Sequence, residues 1–221
     1  ILRHDGAFAE FLALPLENLH LVPAGVSDEQ AVFAEPLAAA CEILTQIRVR
    51  SFPRAAVLGD GKLAQLIAMA LASAGPAVTL YGKHAGKLAL ARRHGIRTRR
   101  IRGDARHLER AARKASFPLV VEATGSPSGF ALAIALTEPR GTLVLKSTYH
   151  GAAPIETWPV VVKEITLVGS RCGPFREALA LLRAKKVDPR PLIARTYPLA
   201  EATAAMKFAQ ERGVLKVLLK P

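Results

Sequence analysis

Ala55-Ala56-Val57-Leu58-Gly59-Asp60-Gly61-Lys62-Leu63-Ala64 runs from an apolar strand into a helix through a G-x-G-x-x-A turn. In such a turn Gly59 permits the tight bend, Gly61 lets backbone N–H groups approach a pyrophosphate, and Ala64 is small enough for close helix–strand packing. The phosphates would sit on the helix N-terminus. Alone the glycine pattern is weak, but its surroundings agree with it. Leu63, Leu66, Ile67, Ala70 and Leu71 follow at helical spacing, Gly75-Pro76 stops the helix, and Ala77-Val78-Thr79-Leu80-Tyr81 supplies a second strand. A dinucleotide-binding Rossmann unit is expected; the alternative is a buried strand–helix turn of another α/β domain.

The form of the dinucleotide is read about 20 residues past such a turn, where an acid would hold the ribose hydroxyls of NAD. Here the second strand runs out at Gly82-Lys83-His84, with glycine at the expected carboxylate position and a cation after it. Without an acid to repel a 2′-phosphate, and with Lys83 able to pair with it, NADP is expected over NAD, although NAD remains possible. Lys83 as a solvated loop lysine is the other reading.

A chain of 221 residues, half of them apolar, can bury a full core. Its two cysteines, Cys41 and Cys172, form no paired C-x-x-C. Neither a disulfide framework nor a four-thiolate zinc site is expected, and a reducing cytoplasm is the default. The most apolar stretch, from Leu63 to Leu80, is broken by Gln65, Ser73, Gly75 and Pro76, so no membrane span is implied. The net charge of +13 is uneven: twelve Lys or Arg between Lys83 and Lys114 face only Asp104 and Glu109. Part of that field could steer a polyanionic dinucleotide; the rest reads as a solvated basic face. No aromatic residue interleaves with these cations, which argues against a nucleic-acid platform.

Along the chain, residues 6–12 (Gly6 to Leu12) read as a strand and Asn18 to Pro23 as a short extended segment. Ser27 with Gln30 has capping-box spacing, and Glu35-Pro36 marks a helix boundary. Leu119 to Gly125, ending in a turn, Gly141 to Leu145 and Ile165 to Ser170 read as further strands, with Ile96 to Arg100 a peripheral one. Pro174 opens a helix through Leu182. Ala200 to Glu211 forms another, stopped at Gly213 before a terminal strand Val214 to Leu219.

Taken in order, Asp5-Gly6-Ala7-Phe8-Ala9-Glu10-Phe11, Phe33-Ala34-Glu35-Pro36-Leu37, the glycine turn, Val120 to Gly125, Gly169-Ser170-Arg171-Cys172 and Leu215-Lys216-Val217 resemble the medium-chain dehydrogenase/reductase family, in particular its zinc-dependent polyol and threonine dehydrogenase-like branch. The resemblance implies a doubly wound parallel sheet with remnants of a GroES-like catalytic domain at both chain ends. Residues 1–34 would be one remnant, 35–175 the NAD(P)-binding domain, and 176–221 a segment returning to the catalytic domain. It further implies an alcohol or ketone substrate, hydride transfer to or from NADP(H), zinc in the full-length protein, and a homodimer or homotetramer.

By the same resemblance Gly59, Asp60, Gly61, Lys62 and Leu63 form the pyrophosphate turn, and Gly82, Lys83 and His84 flank the adenosine ribose. Thr124 and Gly125 would line the cleft, Lys146 and Ser147 approach the nicotinamide, and Arg171 neighbours a phosphate or the carboxamide, unless it is a helix-edge arginine paired with a local acid. Glu35 is the candidate zinc ligand or its immediate neighbour. A catalytic zinc takes about three protein ligands and an open position. The family's other ligand-bearing motifs have no counterpart in this sequence, and His4, His20, His84, His94, His107 and His150 lack metal-site spacing. A fragment of a longer enzyme is therefore expected, Ile1 standing in place of Met, with a non-catalytic NADP(H)-binding module and a zinc-free quinone reductase-like protein as alternatives.

Overall fold

Strand β1 (Arg54–Leu58) is buried at every position after the first, because it lies at the centre of a six-stranded sheet. The computed structural model describes residues 6–101, 115–148 and 156–221. Asp5, His4, His107, His150 and the basic run from Arg102 to Lys114 lie outside the described residues. The other strands are β2 (Ala77–Gly82), β3 (Arg97–Arg100), β4 (Phe117–Glu122), β5 (Thr137–Leu145) and β6 (Thr166–Gly169). All pairings are parallel, in the order β3-β2-β1-β4-β5-β6. That is the doubly wound order whose connections reverse direction between β1 and β4.

Strands covered on both faces need continuous apolar runs rather than alternation, and β1 and β4 supply them. Ala55, Val57, Leu119, Val121 and Val144 point into one apolar cluster; Ala56, Leu58, Val120 and Leu143 point into the other. The first cluster is closed by α2 (Ala34–Gln46), α3 (Lys62–Ala74), α4 (Ala85–Arg93) and α7 (Phe175–Arg183), the second chiefly by α5 (Pro127–Leu136). Two short helices, α1 (Asp28–Ala31) and α6 (Trp158–Val162), complete this part. Helix limits follow the local chemistry. Gln30 reaches back to the Ser27 N–H at 3.1 Å, Pro36 sits in the first turn of α2 where no N–H partner is lost, and Gly75 closes α3 at φ +132°.

Helix α8 (Ala202–Ala209) links β7 (Ile193–Pro198) to β8 (Lys216–Lys220), which pair in parallel as a separate two-stranded sheet. β7 was not expected: its Ala-Arg-Thr-Tyr-Pro run buries only Tyr197 and has no apolar alternation. Conversely, residues 6–12 form no strand. They lie exposed, with Phe11 at 90% accessibility, and no described strand runs beside them to take their backbone hydrogen bonds. The expected extended segment from Asn18 begins instead in a short 3₁₀ turn, Leu16–Asn18. None of the helices among the described residues is long and apolar enough to cross a membrane.

Both cysteines are free, Cys41 buried in the α2 seam and Cys172 exposed. Burial pushes the Cys41 thiol up to about 11, which keeps it protonated and unreactive at neutral pH. A thiol-disulfide dye at about pH 8 should therefore titrate Cys172 alone in the folded chain and both thiols in denaturant; rapid labelling of both under native conditions would contradict the packing of α2.

Candidate functional site

Gly59 follows β1 with φ +116°, a left-handed value that a side chain disfavours. Its N–H donates to the Tyr81 carbonyl at 2.8 Å, and a Cβ there would overlap the Ala123 carbonyl. The turn is thus wedged between β2 and the exit of β4. Two residues on, Gly61 is the N-cap of α3; no side chain caps the helix, and a Cβ at Gly61 would meet nothing within 4 Å. The leading N–H groups of α3 are left for an anion in open space, which is the fit a pyrophosphate requires. Lys62 and Leu63 stand half-buried in the first turn, Leu63 against the core.

Asp60 does something the sequence did not suggest. Its carboxylate turns toward the end of β2, where Oδ2 accepts the N–H groups of Lys83 and His84 at 2.7 Å each and faces His84 Nδ1 at 3.0 Å. A Cβ at Gly82 would come 2.5 Å from Asp60 Cβ. An acid therefore does stand at the β2 exit, supplied by the glycine turn, and it fills the space that a side chain at position 82 would need. Position 82 itself carries no acid, as expected, but Asp60 brings a carboxylate beside it. Gly59, Asp60, Gly61, Gly82, Lys83 and His84, together with Lys87, Thr124, Ser126 and Ser128, line one cleft of about 470 Å³ at the reversal point of the sheet. Lys87 and the two serines were missed; Ser126 is legible as the N-cap of α5, where it accepts the Gly129 N–H at 3.3 Å.

Across the cleft the exits of β4, β5 and β6 are stitched together. Buried Glu122 accepts the N–H and hydroxyl of Thr124 at 2.7 and 2.6 Å, and Gly125 N–H donates to Ser147 Oγ at 2.8 Å. Lys146 is buried, its ammonium donating to Ser170 Oγ at 3.1 Å and to the Arg171 carbonyl at 2.7 Å. Loss of solvent pushes Lys146 below the usual lysine range, against the pull of Glu42 and Glu35. Its charge thus anchors the β6 exit. Arg171 is exposed, and its contact to this rim is through its backbone carbonyl.

Glu35 is exposed at the start of α2, on the side where Lys216 and Lys146 are found. Among the described residues no group of three His, Cys, Asp or Glu could hold a metal ion, so one carboxylate stands where a zinc site needs about three ligands. The described residues do not fit a zinc on their own. His20 stacks on Phe175 at 5.0 Å, as an aromatic contact rather than a ligand.

Residues 63–184 match the family model described as zinc-binding dehydrogenase. The chain is 26% identical over 213 residues to the 2-dehydro-3-deoxy-L-galactonate 5-dehydrogenase of Pseudoalteromonas atlantica, covering 94% of this chain and 62% of that protein. It is 27% identical over 230 residues to the sorbitol dehydrogenase of Halalkalibacterium halodurans, covering 99% and 66%. The solved galactitol-1-phosphate dehydrogenase of Escherichia coli superposes with a TM-score of 0.85 at 26% identity, over 99% of this chain and 68% of that one. The chain spans about two thirds of the length of the curated relatives it matches.

The wedge at Gly59 and the filled space over Gly82 should make both positions intolerant of a single methyl group. Gly59→Ala is expected to cost about 3 kcal/mol or more, on the order of 10 °C in Tm by calorimetry. Gly82→Ala should also destabilise, by forcing Asp60 from its donors, whereas Gly61→Ala should melt within about 2 °C of the unaltered chain. Equal melting of all three would show that the turn is not held as described.

Proposed function

Because the chain belongs to the zinc-binding dehydrogenase family, we propose that its cleft binds NADP(H) and that it serves an oxidoreductase moving hydride between that cofactor and an alcohol or ketone. The observation that carries this reading is the uncapped α3 N-terminus behind Gly61, open to a cleft whose lining includes Lys83 and Lys87. Pyrophosphate would lie on the helix N–H groups, and a 2′-phosphate would meet the two ammonium groups. Asp60 does not counter this, since two backbone N–H groups and His84 already surround its carboxylate.

Thr124 and Gly125 would flank the cofactor between its two halves, with Ser147 toward the nicotinamide and Lys146 holding the rim through Ser170 and the Arg171 carbonyl. The bound nicotinamide supplies the hydride donor or acceptor. Substrates of the polyhydroxy class are favoured by the relatives, which are named for sorbitol, a deoxygalactonate and galactitol 1-phosphate. Residues 1–34 and, of the expected segment 176–221, the β7–β8 pair are proposed as parts of a GroES-like catalytic domain, with Glu35 near a zinc in the full-length protein. The stretch with Ala178, Leu179 and Leu182 packs into the core of the parallel sheet instead. Two free thiols fit a reducing cytoplasm.

Fluorescence titration should show NADPH binding more tightly than NADH at neutral pH, with Lys83→Ala narrowing the gap by about 1–2 kcal/mol. Gly61→Val should weaken both, because its side chain takes the space of the pyrophosphate without disturbing the fold. Equal affinities for the two cofactors would remove the NADP assignment and leave the dinucleotide site.

β6 is the last strand of the sheet and exposes Leu167, so a two-fold dimer extending the sheet through this edge is the proposed assembly. Light scattering over a concentration series is expected to give a dimer that Val168→Pro converts to monomer; a dimer indifferent to that substitution would place the contact elsewhere.

A further inference from the structure

The Asp60–His84 pair has a geometry that the binding of a dinucleotide does not by itself require. His84 Nδ1 lies 3.0 Å from Asp60 Oδ2 and 3.2 Å from Oδ1, and the carboxylate side chain is 10% exposed while the imidazole is 38% exposed and lines the cleft. A carboxylate beside a ring nitrogen requires a proton on that nitrogen, so Nδ1 is the donor whether the ring is neutral or charged. The ring's other nitrogen, Nε2, then has two states only. It is a pure acceptor in the neutral ring and a charged donor in the imidazolium.

These two states bear unequally on the two forms of an adenosine ribose. A 2′-hydroxyl, donor and acceptor at once, can meet either state; a doubly ionised 2′-phosphate, having only acceptor oxygens, needs the Nε2–H of the imidazolium. We propose that His84, held by Asp60, is a specificity-determining residue of the cleft, strengthening the preference for the 2′-phosphorylated cofactor when protonated and adding nothing to it when neutral. Asp60 is the positioning residue, acting through the tautomer it enforces. The inference rests on the dinucleotide reading of the cleft and adds that its preference between NADP and NAD moves with pH.

Charged groups face His84 from several elements. Asp60 comes from the glycine turn, Lys83 from the β2 exit beside His84 itself, and Lys87 from α4. From β3, Arg100 donates Nε–H to the Lys83 carbonyl at 3.2 Å and Arg99 pairs in register with Tyr81 of β2, adding positive charge and a phenol. A bound phosphate adds an anion on the side where cations gather, and by linkage the ligand that prefers the imidazolium must also draw a proton onto it.

The test is a pair of titrations with NADPH and NADH on the unaltered chain and on His84→Gln, by fluorescence, between about pH 5.5 and about pH 8.5, the range in which an imidazole changes charge. The ratio of the NADH to the NADPH dissociation constant should fall roughly tenfold more across that range in the unaltered chain than in His84→Gln, whose remaining slope belongs to the 2′-phosphate's own titration. Nitrogen-15 histidine spectra give a second readout, with the His84 signal identified by its absence in the variant. At a fixed pH near 6.5, a larger protonated fraction is expected with NADPH than with NADH, and in Asp60→Asn the neutral ring should no longer be confined to the Nδ1–H tautomer. Equal slopes with and without His84, or equal protonated fractions with the two cofactors, would overturn the role of His84 and leave the cofactor site standing. Failure of both dinucleotides to bind at any pH would overturn the cofactor reading and this inference with it.

Discussion

One close approach fixes the centre of this molecule: the backbone at Gly59 lies against the Ala123 carbonyl with no room for a side chain, while its N–H reaches across to Tyr81. Ala123 N–H in turn donates to the Leu58 carbonyl at 2.9 Å. Three strand exits are thereby held in one knot of backbone, and because β2 leaves it on one side and β4 on the other, the space above the knot has to open. The cleft is the geometric result of that divergence rather than of any excavation by side chains.

Around the knot, each parallel strand extends its ladder by one hydrogen bond past its end. Ile101 N–H meets the Gly82 carbonyl at 2.7 Å, Lys146 N–H meets Glu122 at 2.9 Å, and Ser170 N–H meets Leu145 at 3.0 Å. Side chains then tie the loops laterally: Asp60 to the β2 exit, Ser147 to the β4 exit, Lys146 to the β6 exit. A cleft rimmed in this way can present polar groups at fixed positions although Asp60, Lys83, His84, Thr124 and Ser126 sit on loops. Burying Glu122 and Lys146 carries a desolvation cost, offset locally by hydrogen bonds from Thr124 and to Ser170 and Arg171.

The centre of the sheet was legible because β1 and β4 are buried on both faces and so are apolar almost without interruption; Leu58 and Val121 announce themselves, and the limits of α3 are written in Gly61 and Gly75. β7 escaped notice because its residues are mostly exposed and its partner β8 is 18 residues away, so pairing rather than composition makes it a strand. Residues 6–12 show the converse, a strand-like composition with no described partner to complete it. At the site, the spacing of Gly59 and Gly61 located the sharp turn from β1 into α3, while the direction of Asp60 could not be read from the sequence. A side chain that crosses from one loop to the end of another strand is a tertiary fact, and Gly82 became intelligible only once Asp60 was seen lying over it. Lys146 was expected to face the cofactor; its ammonium is instead committed to the neighbouring loop.

The sheet's two edges are chemically unlike. β3 presents Arg97, Arg99 and Arg100, all exposed, whereas β6 presents an uncharged Thr-Leu-Val-Gly. A second copy approaching β3 in register with its own β3 would bring guanidinium groups together, a repulsion that no main-chain hydrogen bond need overcome at β6. The two margins therefore differ in what a neighbouring strand would meet: three exposed guanidinium groups at β3 and no charge at β6. Any two-fold joining at the uncharged margin uses up the only compatible edge among the described strands of the sheet, and such an assembly terminates at twelve strands in place of running on as a filament.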